Sequence, residues 1–164
     1  MANASDEIIK EANRISEGTD YTSVQHFIAA KQWRNTHLCI GITAMIFAVI
    51  VTALSFSPAP NWIAGSLGIF VAILTGLLTF LNPKDRAEEH QRKGVELQYI
   101  RDEARILENI DSVQMNDDEL NAQLIKLRER KFKTDLANPS TPGGSIFRKA
   151  KKSVVDGTVP DLTG

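Results

Sequence analysis

The side chains that could carry out chemistry are few and lie far apart in the sequence. Cys39 is the only cysteine, so the chain offers neither a disulfide nor a thiolate metal site. The three histidines, His26, His37 and His90, are too widely spaced to form a local ligand pair. We therefore expect no bound metal ion.

Catalytic signatures are equally scarce. Glu88 and Glu89 are adjacent, and adjacent side chains diverge by about 100° on a helix, so their carboxylates do not point at one substrate. The sequence contains no glycine-rich phosphate loop of the Walker or Rossmann type. We expect a protein that is not an enzyme, takes no cofactor and does not bind nucleic acid.

The most informative stretch is residues 35–83, a run of 49 residues without Asp, Glu, Lys or Arg. It is interrupted by a proline-containing turn at 57–61. The two arms, 38–56 and 62–81, are 19 and 20 residues long, so each covers about 30 Å as a helix, the thickness of the hydrocarbon core. The sequence therefore predicts an all-α membrane protein with a transmembrane hairpin over 37–81 and the lipid bilayer as a partner.

Basic residues flank only one side of this hairpin. The turn has none, whereas seven surround the other ends of the arms: Lys31, Arg34, Lys84, Arg86, Arg92, Lys93 and Arg101. The positive-inside rule then places both termini in the cytoplasm. Trp33 and Trp62 lie near arm ends, where indoles favour the headgroup region, although ordinary packing remains an alternative for each.

Small residues repeat along both arms and form two ridges. The ridge of the second arm comprises Ala64, Gly68, Ala72 and Gly76, with Thr75 and Thr79 beside it, and that of the first comprises Ala44, Ala48 and Thr52, with Gly41 nearby. Such ridges let helices approach closely, either within the hairpin, between subunits or around a narrow pore. Neither arm is charged, which argues against a proton-coupled transporter, and two helices alone cannot enclose a pathway.

Helices are also expected on both sides of the hairpin. Within residues 1–36, an apolar face predicts a first helix that ends near Gly18 and folds back on a second one running into the membrane. After the hairpin, residues 82–85 predict a helix start with Pro83 in the first turn. Residues 111–115 interrupt that helix, and 116–119 form a capping box for the next.

The helix after the hairpin carries the predicted oligomerisation stripe, which consists of Leu97, Ile100, Ala104 and Leu107. Their spacing of three and four residues is typical of coiled-coil packing. Residues 82–137 are therefore expected to form a small cytoplasmic bundle with the N-terminal helices. Residues 138–164, rich in proline and glycine, predict a flexible tail, whose basic cluster at 148–152 either contacts anionic lipid or is solvated.

Three segments carry a resemblance to a known family: residues 21–26 (Tyr-Thr-Ser-Val-Gln-His), the approach to the membrane at Trp33, and the proline-started helix that includes 87–108. Over residues 21–132 the chain resembles the SLATT family, a group of two-span effectors of bacterial conflict and anti-phage systems.

The resemblance implies a homo-oligomeric, pore-forming effector that depolarises the bacterial inner membrane. The chain departs from sensor-bearing effectors because it has no recognisable sensor domain. Its trigger would be a separate sensor or nucleotide-signalling protein, a ligand of the cytoplasmic helices, or oligomerisation itself. The residues also allow a second function, a membrane anchor or scaffold whose cytoplasmic helices hold a partner protein.

Overall fold

The computed structural model describes residues 4–58, 60–137 and 142–156, and all regular structure in these ranges is helical. The helices are α1 (Ala4–Ser55), α2 (Asn61–Leu81), α3 (Pro83–Ile106), a π-helical segment (Leu107–Asp111), α4 (Ser112–Gln114), α5 (Asp117–Leu136) and α6 (Ser145–Val155). The chain divides into two compact units. The first combines Met1–Ala30 with Glu89–Gly164, and the second is Lys31–Glu88.

The long helix α1 corrects the prediction of a break near Gly18. It runs without interruption for 52 residues. A glycine inside a helix costs only about 1 kcal/mol relative to alanine, and the buried face continues across this position, with Ile15 at 6% and Thr19 at 1% exposure. Packing on that face therefore outweighs the local preference for a stop.

The described part of the first unit has an apolar core to which α1, α3, the π-helical segment and α5 contribute. Ala12 and Ile15 come from α1, and Leu120, Leu124 and Leu127 come from α5. The predicted oligomerisation stripe supplies the rest, with Leu97 1%, Ile100 0%, Ala104 0% and Leu107 3% exposed. These four side chains pack inside the chain, so they are not an available contact surface between copies.

Helices α1 and α3 approach each other closely because Gly94 has no side chain. A Cβ at Gly94 would lie 2.8 Å from Cε1 of Phe27, which is shorter than a van der Waals contact. Nearby, an Arg101 guanidinium nitrogen donates to an Asp20 carboxylate oxygen at 2.8 Å. Burial lowers the pKa of Arg101, but hydrogen bonds to Asp20 and Asp102 outweigh that effect and raise it.

The helix boundaries after the membrane-length segment follow the local sequence. Asn82 adopts the left-handed conformation with φ 41°, which asparagine tolerates better than most residues, and α3 begins at Pro83 as predicted. The capping box is confirmed, because the Asn116 side chain accepts from the Glu119 backbone N–H while the Glu119 side chain accepts from that of Asn116.

Part of the predicted flexible tail is instead the helix α6, in which Ala150 is fully buried. Its buried face supplies the packing that the proline- and glycine-rich composition of the tail did not suggest. Of the remaining predicted tail, residues 138–141 and 157–164 lie outside the described residues.

Candidate functional site

Among the described residues, two helices are long and apolar enough to cross a membrane. Only 6% of the most apolar segment of α1 is buried within the structure, and 0% of that of α2. The core helix of a soluble protein would be largely covered by its own chain. These two segments therefore present a wide apolar surface that needs another apolar environment.

Within the unit Lys31–Glu88, α1 and α2 are in contact through both large and small residues. The rings of Phe47 and Phe70 pack edge to face, with centroids 5.1 Å apart. A Cβ at Gly41 would lie 4.0 Å from Cδ1 of Leu78, an ordinary van der Waals contact. Ala44, which is 8% exposed, is also buried here.

The small-residue ridge of α2 is left open by its own chain. A Cβ added at Gly68 or Gly76 would meet no atom within 4 Å, Ala64 is half-buried, and Ala72 is exposed. On α1, Ala48 and Thr52 are likewise exposed, in contrast to Gly41 and Ala44. The described chain thus covers part of the α1 ridge and leaves space beside the glycines of α2.

The hydroxyl groups near these ridges are satisfied within their own helices. Thr52 donates to the Ala48 carbonyl at 2.9 Å, and Thr75 donates to that of Val71 at 2.9 Å. Thr79 donates to the Thr75 carbonyl at 3.0 Å. Because these donors are already paired, the threonines can face lipid, a neighbouring helix or water without an orphaned polar group.

The two tryptophans have different surroundings. Trp33 is half-buried, and the guanidinium carbon of Arg86 lies 5.5 Å from the centroid of one of its rings, which is the geometry of a cation–π contact. Trp62 is 73% exposed. Trp33 therefore has a packing partner within the chain, while Trp62 presents its indole outward.

The first unit contains a buried polar cluster, which we call the histidine junction: His26 of α1 with His90 and Lys93 of α3. The Nδ1 atoms of His26 and His90 are 2.9 Å apart, and the two residues are 0% and 8% exposed. Lys93 Nζ donates to the Ala137 carbonyl at 3.1 Å, a favourable place for a cation because helix α5 ends at Leu136.

The short distance between the two Nδ1 atoms indicates that one proton lies between them. One ring must donate Nδ1–H and the other must accept with an Nδ1 lone pair, so both cannot carry Nδ1–H in this arrangement. Nε2 of His26 is buried and has no hydrogen-bond partner in the described chain. Since a buried lone pair costs less than an orphaned N–H, we assign His26 as the donor through Nδ1.

The electrostatics of the junction oppose a second positive charge. Burial first, and then the neighbouring His90 and Lys93, lower the pKa of His26 from 6.5 to about 4, against a raising effect from Asp135. His26 is therefore neutral at physiological pH. The pair forms a hydrogen-bonded contact between α1 and α3, and the residues described contain no group of three metal-ligating side chains.

Sequence reasoning missed this junction because 64 residues separate the two histidines. The helical spacing could have indicated that His90 is buried. His90 lies seven residues before Leu97 and fourteen before Ala104, so it falls on the same buried face of the helix. A histidine in a core stripe needs a buried polar partner. Periodicity alone does not say which helix supplies it.

Comparison with known proteins assigns no function to the two apolar helices or to the histidine junction. No family model matches the chain, and no match was found among curated proteins or solved structures.

Proposed function

We propose that the chain inserts into a membrane as a two-span hairpin with both termini in the cytoplasm, self-associates through its spans and opens a pore. Ion flow through that pore would depolarise the membrane. The resemblance to SLATT effectors suggests the bacterial inner membrane as the location and antiviral or other conflict defence as the context. We propose that the pore opens in response to a trigger. This trigger is a separate sensor or nucleotide-signalling protein, or it is oligomerisation itself.

The observation that carries the proposal is the open small-residue ridge of α2. The contact with α1 is made by other residues, such as Phe70 and Leu78, and a side chain at Gly68 or Gly76 would meet nothing. Helices in lipid associate through close packing of small residues, because lipid tails remove the hydrophobic drive for ordinary apolar contacts. A ridge that its own chain leaves uncovered is therefore suited to a helix from another copy.

The chemistry of the spans supports a pore rather than a pump. The thiol of Cys39 lies at the start of the first arm and His37 precedes that arm, but residues 35–83 contain no Asp, Glu, Lys or Arg. Proton-coupled transport normally needs such a group inside the membrane. An oligomer would instead line its pathway with weakly polar groups, among them the threonines beside the ridges.

A membrane anchor or scaffold is the second candidate, and the first unit favours it. This unit has its own apolar core, and its outer surface is charged along α3 and α5. Such a unit could hold a partner protein while the spans only tether it. The anchor predicts no conductance, and it predicts that an unrelated two-span hairpin could replace residues 38–81 without loss of function.

Membrane potential in bacteria expressing the chain distinguishes the two candidates. We expect the native chain to depolarise the cells and Gly68→Leu to abolish this, because the added side chain would keep a second helix away from the ridge. The space around Gly68 within the chain is open, so the substitution should leave the single subunit intact.

Ser66→Leu is the matched control. Ser66 is exposed on another side of α2, and its hydroxyl only donates to the Ile63 carbonyl of the same helix. At equal membrane levels this variant should depolarise cells as the native chain does. Equal depolarisation by Gly68→Leu would exclude the ridge as the assembly surface, and unchanged potential with every variant would favour the anchor.

A further inference from the structure

Helix α6 buries one of its sides within the chain. Ala150 is fully buried, and Ile146, Ser153 and Val154 are partly buried. These positions recur at three and four residues, so they share one face of the helix. That face holds α6 in place and determines which side chains point outward.

The opposite side of α6, which we call the basic face, combines apolar and cationic residues. Phe147, Lys151 and Val155 form one row at four-residue spacing, with Phe147 50% and Val155 70% exposed. Arg148 and Lys152 form the adjacent row, and Lys149 lies further around the helix. All four basic side chains are exposed.

The charge of this face is not neutralised within the described chain. Helix α6 contains no acidic residue between Ser145 and Val155. Across the described residues, every ion pair is made elsewhere, so none of these four cations has a carboxylate partner. The result is a compact cationic surface with an aromatic residue inside it.

We propose that the basic face binds the anionic phospholipid headgroups of the bilayer that holds the spans, an inference that rests on the membrane insertion proposed above. Each Lys or Arg near an anionic leaflet strengthens binding about fivefold, and attachment of the chain to the bilayer through its spans raises the effective concentration of lipid headgroups for α6. Phe147 and Val155 insert among the headgroups, which is how amphipathic helices lie on a membrane surface.

The two apolar residues of the basic face, Phe147 and Val155, favour lipid over other anionic partners. Nucleic-acid backbones and acidic proteins would satisfy the four charges, but Val155 would gain little from a phosphate chain in water. An interface that is anionic at the surface and apolar just below matches both kinds of residue. Binding of α6 to a polyanion in place of lipid is therefore an outcome that would overturn the proposal.

The test uses the full chain reconstituted in vesicles, with a polarity-sensitive fluorophore on Val155→Cys in a Cys39→Ser background. Vesicles of phosphatidylcholine alone are compared with vesicles of equal parts phosphatidylcholine and phosphatidylglycerol. We expect a blue shift and brighter emission only with phosphatidylglycerol, weakened by high salt. A fluorophore on Asn121→Cys, an exposed position of α5, should show no such change.

Glutamine variants separate this surface from a general effect of charge. Replacing the four bases of α6 should abolish the shift, whereas replacing four exposed bases elsewhere should preserve it: Lys10, Lys126, Arg128 and Lys133. The same spectrum in both vesicle types, an unchanged shift without the four bases, or a shift produced only by added polyphosphate would overturn the proposal. Resistance of the chain to carbonate extraction is measured in parallel, so that failed insertion is recognised as a failure of the proposed function itself.

Discussion

His26 and His90 show what a single pair of side chains contributes to this fold. Their Nδ1 contact joins α1 to α3, while Lys93 beside them joins α3 to the end of α5. A hydrogen bond between two neutral rings requires one proton between the facing nitrogens. The junction is therefore stable only while at least one ring remains neutral.

Stability should fall on mild acidification because of His26. Its folded-state pKa of about 4 lies below the ordinary value of 6.5, so between these values the unfolded chain binds more protons than the folded chain. The contribution is complete above pH 6.5 and is lost as the pH falls toward 4. After allowance for screening by water, we expect the free energy of unfolding to drop by about 1 to 2 kcal/mol between pH 7 and pH 5.

Thermal unfolding followed by circular dichroism in detergent micelles at a series of pH values measures this effect. His26→Gln should unfold at a lower temperature at pH 7 and show a smaller loss between pH 7 and pH 5. The titratable groups that contribute to the pKa of His26 are His90, Lys93 and Asp135. If the unfolding temperature fell equally between pH 7 and pH 5 in the native chain and the variant, His26 would not be the cause of the pH dependence.

The residue scale is also where sequence reasoning is weakest. The sequence shows that His26 and His90 each lie on a helix, and periodicity places His90 on a buried stripe. Their contact depends on how α1 and α3 pack, which involves Phe27 against Gly94. Such tertiary pairing has no local pattern in the chain.

At the scale of the helix, two glycines have opposite structural roles. Gly94 lies where α1 and α3 meet, and a Cβ there would lie within 3.0 Å of three ring carbons of the buried Phe27. Gly18 lies in the interior of α1, and a Cβ there would meet nothing within 4 Å. The same substitution should therefore change stability in opposite directions.

Gly94→Ala should destabilise the first unit, since overpacking of about 1 to 3 kcal/mol exceeds the gain of about 1 kcal/mol in helix propensity. Gly18→Ala should stabilise it by up to about 1 kcal/mol. Melting temperatures of the two variants and the native chain, measured in the same detergent, provide the comparison. A Gly94→Ala variant that melts with or above the native chain would mean that the helices can separate at no cost.

Helix starts were predictable where the signal is local. Pro83 in the first turn of α3 and the Asn116 capping box are defined by a few neighbouring residues, and the structure has both. The continuity of α1 through Gly18 and the existence of α6 were not predicted. Both depend on packing against distant parts of the chain, which overrides weak local preferences.

At the scale of the whole molecule, the sequence predicted two apolar helices of membrane length from the segregation of its charges. The structure contains them with almost none of their most apolar surface buried. Assembly was less accessible to sequence reasoning. The stripe at Leu97 and Ile100 looked like an oligomer contact but fills the core of the chain, because an apolar periodicity does not distinguish inner from outer packing partners.

The number of chains per assembly tests whether copies associate through the ridge of α2 and not through the stripe at Leu97 and Ile100. With a fluorophore on Asn121→Cys in the Cys39→Ser background, spots in dilute proteoliposomes should bleach in several steps for the native hairpin. Gly68→Leu should shift most spots to a single step, while Ser66→Leu should keep several. Multistep bleaching that survives Gly68→Leu would place the assembly contact outside the ridge of α2.

The most direct measurement is the decay of a potassium diffusion potential across vesicles that contain only the purified chain. We expect the native chain and Ser66→Leu to dissipate the potential, whereas Gly68→Leu should leave it as stable as in empty vesicles. Vesicles that hold their potential with the native chain inserted and assembled would contradict the pore, and they would leave the membrane anchor as the function of this protein.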